Sequence, residues 1–90
     1  MIEFIRGEDK HVKFRVHSAT GGDMIVESAD YVFSREGVVE DDGACEITND
    51  GKQPILDMKL YPKETGFYCL EITYCVADET LKHREEVWVS

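Results

Sequence analysis

The run Phe67-Tyr68-Cys69-Leu70-Glu71-Ile72-Thr73-Tyr74-Cys75-Val76 decides the fold. Tyr68, Leu70, Ile72, Tyr74 and Val76 recur at every second position, with Cys69, Glu71, Thr73 and Cys75 between them. A period of two sends successive side chains to opposite faces of a strand, so the first set is an apolar, inward face. A partner strand is expected over Leu81 to Ser90, joined through Ala77-Asp78-Glu79-Thr80. With a loop of that length Leu70 opposes Val87 and Tyr68 opposes Val89, which completes a buried layer, while His83 and Glu85 oppose Tyr74 and Ile72. Titratable groups against apolar partners imply either a bulge near Glu85 or a hairpin that projects beyond the second sheet with a half-solvated tip. On the outward face the same register sets Cys69 beside Trp88 and Phe67 beside Ser90.

Outward from this ribbon the alternation recurs, and no stripe at helical spacing competes with it. Ile2 to Arg6 reads as a first short strand, and the turn Gly7-Glu8-Asp9-Lys10 leads into His11 to His17. There Val12, Phe14 and Val16 face one way and His11, Lys13, Arg15 and His17 the other, the pattern of a half-buried strand. Ser18 to Asp23, with Gly21-Gly22, reads as a loop. Extended chain follows over Met24 to Val26 and Ala29 to Ser34, and Glu36-Gly37 turns it into the short Val38-Val39 segment. In Asn49-Asp50-Gly51-Lys52 the Asp-Gly pair suits a two-residue type I′ hairpin turn. That turn pairs Ile47 with Pro54, Cys45 with Leu56 and Gly43 with Met58, so the apolar residues share a face. A loop one residue longer would turn Leu56 and Met58 away. Pro54 lacks a donor and belongs at a strand start or an edge. About seven short antiparallel strands in 90 residues predict one all-β domain, a small β-sandwich spanning residues 1–90.

The composition bounds what such a domain can do. A chain of 90 residues buries only on the order of 60% of its unfolded surface, which leaves little for a second lobe or a deep cleft. Ten basic against 19 acidic residues give a net charge of −9, and Glu36 to Asp50 holds six carboxylates without a Lys or Arg. Such a surface repels phosphate backbones and anionic lipid, so neither nucleic acid nor membrane is an expected partner. Arg6, Lys10, Lys13 and Arg15 cluster near the amino end, but Glu3, Glu8 and Asp9 interleave with them and no cationic stripe emerges. No stretch resembles a signal peptide or approaches about 20 apolar residues, so the chain is expected to be cytoplasmic at synthesis. Three cysteines without a Cys-x-x-Cys pair fit free thiols. Cys69 and Cys75 stand about 20 Å apart along one strand. Cys45 with Cys69 is the one pairing left open.

The segment Glu64-Thr65-Gly66-Phe67-Tyr68-Cys69-Leu70 resembles the acidic-x-Gly-x-Tyr run that opens the sixth strand of immunoglobulin-like domains, the tyrosine corner. By that resemblance Glu64, Gly66 and Tyr68 have structural roles: Gly66 permits the bend and the Tyr68 hydroxyl returns to backbone upstream. Antibody domains carry a cysteine two residues after the tyrosine, where this chain has Leu70, and the partner cysteine and third-strand tryptophan are absent as well. The likeness is to immunoglobulin-like sandwiches without a disulfide. More narrowly, the Ile/Phe-rich start, the Pro62 to Tyr68 segment and the closing Val87-Trp88-Val89 resemble small structural proteins of phages and prophages of Gram-positive bacteria. That resemblance implies a virion-associated head-decoration or tail role exerted through protein contacts.

Candidate chemistry is sparse. His11 and His17 share a strand face about 20 Å apart, too far for one metal ion. With His83 they read as exposed residues. Asp41, Asp42, Gly43, Glu46 and Asp50 are acids and a turn without the spacing of a calcium loop, and read as solvated. No nucleophile elbow or phosphate loop occurs, so no enzyme, cofactor or metal site is expected. The favoured site is a surface: Phe67, Cys69 and Trp88 on the outward face of the last hairpin, with Tyr74 and His83 toward its tip, binding a protein partner or a second copy. The alternative expectation is a carbohydrate-binding module, in which exposed aromatics such as Tyr31, Tyr61, Phe67 or Trp88 stack on sugar rings.

Overall fold

The computed structural model describes residues 1–17, 25–49 and 53–90. The expected Ser18 to Asp23 loop, Met24 and the Asp50-Gly51-Lys52 turn lie outside the described residues. Among those described, eight strands form two sheets and there is no helix: β1 (Ile2–Phe4), β2 (Lys10–Arg15), β3 (Val26–Arg35), β4 (Val38–Ala44), β5 (Glu46–Thr48), β6 (Ile55–Leu60), β7 (Gly66–Val76) and β8 (Glu79–Val89). The five-stranded sheet runs β1-β8-β7-β3-β4 and the three-stranded sheet β2-β6-β5. The chain is all-β, as the alternation predicts. Eight strands stand where about seven were expected: the Val38-Val39 segment is the start of the seven-residue β4, which takes Gly43 from the expected hairpin strand and leaves β5 short. Pairing is also not wholly antiparallel, since β1 runs parallel to β8 with Ile2 opposite Val87 and Phe4 opposite Val89.

The alternating residues of both sheets meet in one core. Phe33, Tyr68, Leu70, Ile72, Val87 and Val89 come from the five-stranded sheet, and Val12, Leu56, Met58 and Leu60 from the three-stranded one. Phe33 and Tyr68 stack with centroids 4.4 Å apart and planes 9° from parallel. The chain changes sheet at Cys45, which is buried and whose N–H donates to the Ala29 carbonyl at 2.8 Å.

Two registers differ from those expected, each by two residues. In the β7–β8 hairpin Tyr68 opposes Val87, Leu70 opposes Glu85 and Ile72 opposes His83. The loop is only Ala77-Asp78, closed by Ala77 at φ 53°, a left-handed conformation that a two-residue hairpin turn demands and that alanine rarely adopts. Cys69 therefore sits beside Glu86 and Phe67 beside Trp88, in place of Trp88 and Ser90. The ladder runs without a bulge, and His83 and Glu85 are accommodated because this end of the hairpin is partly solvated: their side chains keep 48% and 27% exposure. In the β5–β6 pair Ile47 opposes Leu56 and Thr48 opposes Ile55, in place of Ile47 with Pro54. Gly43 lies opposite Tyr31 on β3, not Met58, and Cys45 belongs to the crossing between sheets, not to a pair with Leu56. Both errors are even numbers, so every inward residue stayed inward.

Candidate functional site

The outer face of the five-stranded sheet is built in rows across the strands. Phe67 and Trp88 are directly opposed on β7 and β8, with ring centroids 4.6 Å apart and planes tilted by 49°. Both are open to solvent, Phe67 at 54% and Trp88 at 36%. The first strand does not fold over the tryptophan. It lies beside β8 in the sheet, with Glu3 next to Trp88 and Phe4 turned into the core at 2% exposure. In the next row Cys69, exposed and free, stands between Glu86 and Ser34, with Val39 of β4 beyond it at 53% exposure. A shallow hollow of about 350 Å³ opens beside Phe67, floored by Ser34 and Cys69 and rimmed by Glu36, Arg84 and Glu86.

One row further the face becomes charged. Arg84 Nε donates to Glu71 Oε2 at 2.7 Å and Lys82 Nζ reaches Glu71 Oε1 at 3.4 Å. The Arg84 hydrogen bond first, then the Lys82 bond and its charge, hold the Glu71 carboxyl below its ordinary value. The face thus grades from an aromatic end to a saturated ion-pair end.

Tyr74 and His83 are not part of this face. They point to the core side, where they line a cleft of about 150 Å³ between the sheets with Phe14, Val16, Leu56 and Ile72. His83 meets the edge of the Phe14 ring at 5.4 Å and its Nε2 lies 3.0 Å from Glu85 Oε2. The five candidate interface residues therefore divide into an outer-face trio and an inner pair.

The Tyr68 hydroxyl accepts from the Glu64 backbone N–H at 3.1 Å and donates to Glu40 Oε1 at 2.9 Å. Burial first, then the Glu40 bond, raise its pKa. Gly66 takes φ 113°, where a side chain would be strained. Glu40 was not foreseen. It is the extra residue of a bulge in β4, since Phe33 pairs with Asp41 and Ser34 with Val39, and only the bulge turns it inward.

The remaining polar candidates are dispersed. His11 Nδ1 lies 2.8 Å from Asp57 Oδ1, and His17 Nδ1 lies 3.1 Å from Gln53 Nε2. Asp41 accepts from the Tyr31 hydroxyl at 3.1 Å. Tyr31 is buried at 8% exposure, not an exposed aromatic, and desolvation, then the Asp41 bond, push its pKa up to about 12. Tyr61 is exposed at 52%. Among the described residues no three His, Cys, Asp or Glu side chains gather into a group able to hold a metal ion.

No protein-family model and no curated protein matches the chain. Among solved structures it is similar to the crystal structure of an engineered protein from the Northeast Structural Genomics Consortium, with a TM-score of 0.75 at 20% identity. The match covers 99% of this chain and 18% of that one, so this chain spans less than a fifth of the length of the structure it resembles. At that identity the likeness concerns the fold.

Proposed function

We propose that the chain is an immunoglobulin-like, non-enzymatic interaction module that docks on protein through the outer face of its five-stranded sheet, as a phage- or prophage-derived structural component. The strand order supports the immunoglobulin-like reading: a five-stranded layer closed by a parallel first strand faces a three-stranded layer, and a buried tyrosine hydroxyl ties back to backbone at the start of β7. The observation that carries the functional reading is the uncovered Phe67–Trp88 pair, because exposed aromatics in contact on an open face are the usual anchors of protein interfaces. The virion-associated role rests on the sequence resemblance alone.

The test is the mass in solution at about 1 M salt, where charge contacts are screened beyond about 3 Å and apolar ones persist. Wild type should scatter above the 10.3 kDa of one chain, and Trp88→Ala should return to it with the β-type circular dichroism intact. The substitution should cost only about 0.5–1.5 kcal/mol of stability, the worth of an aromatic pair beyond its burial. Equal masses for the two proteins would overturn the reading. A monomeric wild type whose single tryptophan is quenched saturably by sugars would replace it with a carbohydrate-binding module.

A further inference from the structure

Among the described residues four strands, β1, β2, β4 and β5, have an unpaired edge, and two of them, β2 and β4, carry opposite charge. β2 pairs only with β6, and β4 only with β3, among the described residues. The Val16 N–H donates to the Pro54 carbonyl at 2.9 Å, which fixes the alternation along β2. The groups of Val12 and Phe14 then point at β6, and those of His11, Lys13 and Arg15 point out from the sheet edge. The Cys45 N–H bond to Ala29 fixes β4 in the same way: Asp41 and Gly43 face β3, while Asp42 and Ala44 face outward. Among the described residues both edges offer N–H and C=O groups without a backbone partner.

The side chains on those edges complement each other. On β2 the exposed residues at the edge are His11, Lys13 and Arg15, and neither Lys13 nor Arg15 forms an ion pair among the described residues. Asp57, across from Lys13, is already taken up by His11 at 2.8 Å. On β4 the stretch Val38-Val39-Glu40-Asp41-Asp42 has no cation, and Val38 and Val39 keep 69% and 53% exposure. Asp41 is held by Tyr31 and Glu40 by Tyr68, which leaves Asp42 as the outward acid. Charge on an exposed edge ordinarily forbids edge-to-edge pairing. Here it forbids β2 against β2 and β4 against β4, where like charges would face each other, and favours β2 against β4.

The two edges also lie on opposite sides of the molecule. β4 continues into β5 through Cys45 alone, so that side holds β4 and β5. β2 lies on the side of β1, where Lys10 Nζ donates to the Glu3 carbonyl at 3.0 Å and sits 4.4 Å over the Phe4 ring. We infer that the basic β2 edge of one copy adds as a strand to the acidic β4 edge of a second copy, a head-to-tail contact that joins chains into an open row. Such a contact is heterologous: in a joined pair one copy keeps its β4 edge free and the other its β2 edge, and no closed dimer satisfies both. It does not depend on the aromatic face.

The test is light scattering of the 90-residue chain at about 0.05 M salt, where charges act over more than about 10 Å, with circular dichroism as the check on folding. The wild-type mass should climb with concentration past that of two chains and fall back in about 1 M salt. Lys13→Glu with Arg15→Glu, which inverts the β2 edge, should keep at low salt only the mass that wild type holds in about 1 M salt, and so should Val39→Lys with Asp42→Lys, which inverts the β4 edge. Mixing the two variants should restore association, because each supplies the edge the other needs. Trp88→Ala should grow at low salt as wild type does. A wild type with the same mass at low and at high salt, single variants that still grow at low salt, or a mixture that grows no further than either variant alone would each overturn the inference, whatever the aromatic face does.

Discussion

Removing one oxygen atom tests the corner at the start of β7. Tyr68→Phe keeps the ring that stacks on Phe33 at 4.4 Å and deletes the hydroxyl that joins Glu64 N–H to the Glu40 carboxylate. A hydrogen bond to a charged group contributes about 1.5–3 kcal/mol and a neutral one about 0.5–1.5. Both remaining partners recover part of this. Glu64 is exposed and rehydrates, and Glu40 is half-buried and keeps the Lys63 N–H at 3.4 Å. The expected loss is therefore near the lower sum, about 2 kcal/mol, or a fall in melting temperature of roughly 8–16 °C for a domain of this size. Urea unfolding should show a lower midpoint at unchanged slope, because the surface exposed on unfolding is nearly the same. Glu40→Gln keeps an acceptor without its charge and should cost about half as much, since charge assistance roughly doubles such a bond. In the double variant the two losses should not add, with a coupling of about 1 kcal/mol. A Tyr68→Phe loss below about 0.5 kcal/mol, or strict additivity with Glu40→Gln, would show that the hydroxyl is not the tie between the β4 bulge and the β7 corner.

Two further outcomes concern ionisation. Thiol reagents at neutral pH should modify exposed Cys69 first, half-buried Cys75 next and Cys45 last, because burial first, then the charges of Asp30 and Asp57, push the Cys45 thiol from 9.0 to about 11. The native state then holds a proton that the unfolded chain has lost, so stability should fall as pH rises from about 9 to about 11, and Cys45→Ala should flatten that decline in a pH series of melting curves. Glu71 has the opposite sign: its depressed carboxyl stabilises the fold above its ordinary value, and that contribution disappears as pH falls through the lowered one. Glu71→Gln should remove this part of the acid slope while leaving stability above pH 9 with the same pH dependence.

The sequence was most legible where periodicity alone decides. Tyr68, Leu70 and Ile72 are inward because alternation and a buried layer admit no other face, and the pairs Tyr68–Val87 and Ile47–Leu56 keep that parity although each register is two residues from the one expected. Register within a parity class depends on turn geometry, and composition misled there. Ala77-Asp78 lacks the glycine that advertises a two-residue loop, yet Ala77 adopts φ 53°. Conversely the register counted outward from the Asp50-Gly51 pair set Ile47 against Pro54, whereas Ile47 opposes Leu56. β4 was illegible as a long strand because Glu40-Asp41-Asp42-Gly43 has little intrinsic strand preference, and its pairing with β3 supplies what propensity does not. The outward trio of Phe67, Cys69 and Trp88 was readable from parity, whereas the separation of Tyr74 and His83 from it follows from the same parity applied one residue later.

A net charge of −9 would by itself keep copies of this chain apart, yet its distribution does not act as a uniform field. At physiological salt charges are screened beyond about 8 Å, so two approaching copies respond to the edge that faces them and not to the total. Lys10, Lys13 and Arg15, three of the ten basic residues, lie on one six-residue strand, and the acids of Glu36 to Glu46 lie on the other flank. Approach by like flanks is repelled and approach by unlike flanks is not, so charge selects an orientation before any hydrogen bond forms. Strand addition extends a sheet within its own plane, and the Phe67–Trp88 row stands on the face of that plane. Growth along the edges and docking on the face therefore use different surfaces, and a row of such domains would repeat the aromatic pair once per copy. Repetition of that kind turns a weak single contact into a strong multivalent one, because each further engagement is intramolecular. The consequence is measurable: a partner of the aromatic face that is itself repeated should bind wild type more tightly than it binds the Lys13→Glu, Arg15→Glu variant, although that variant leaves Phe67 and Trp88 untouched.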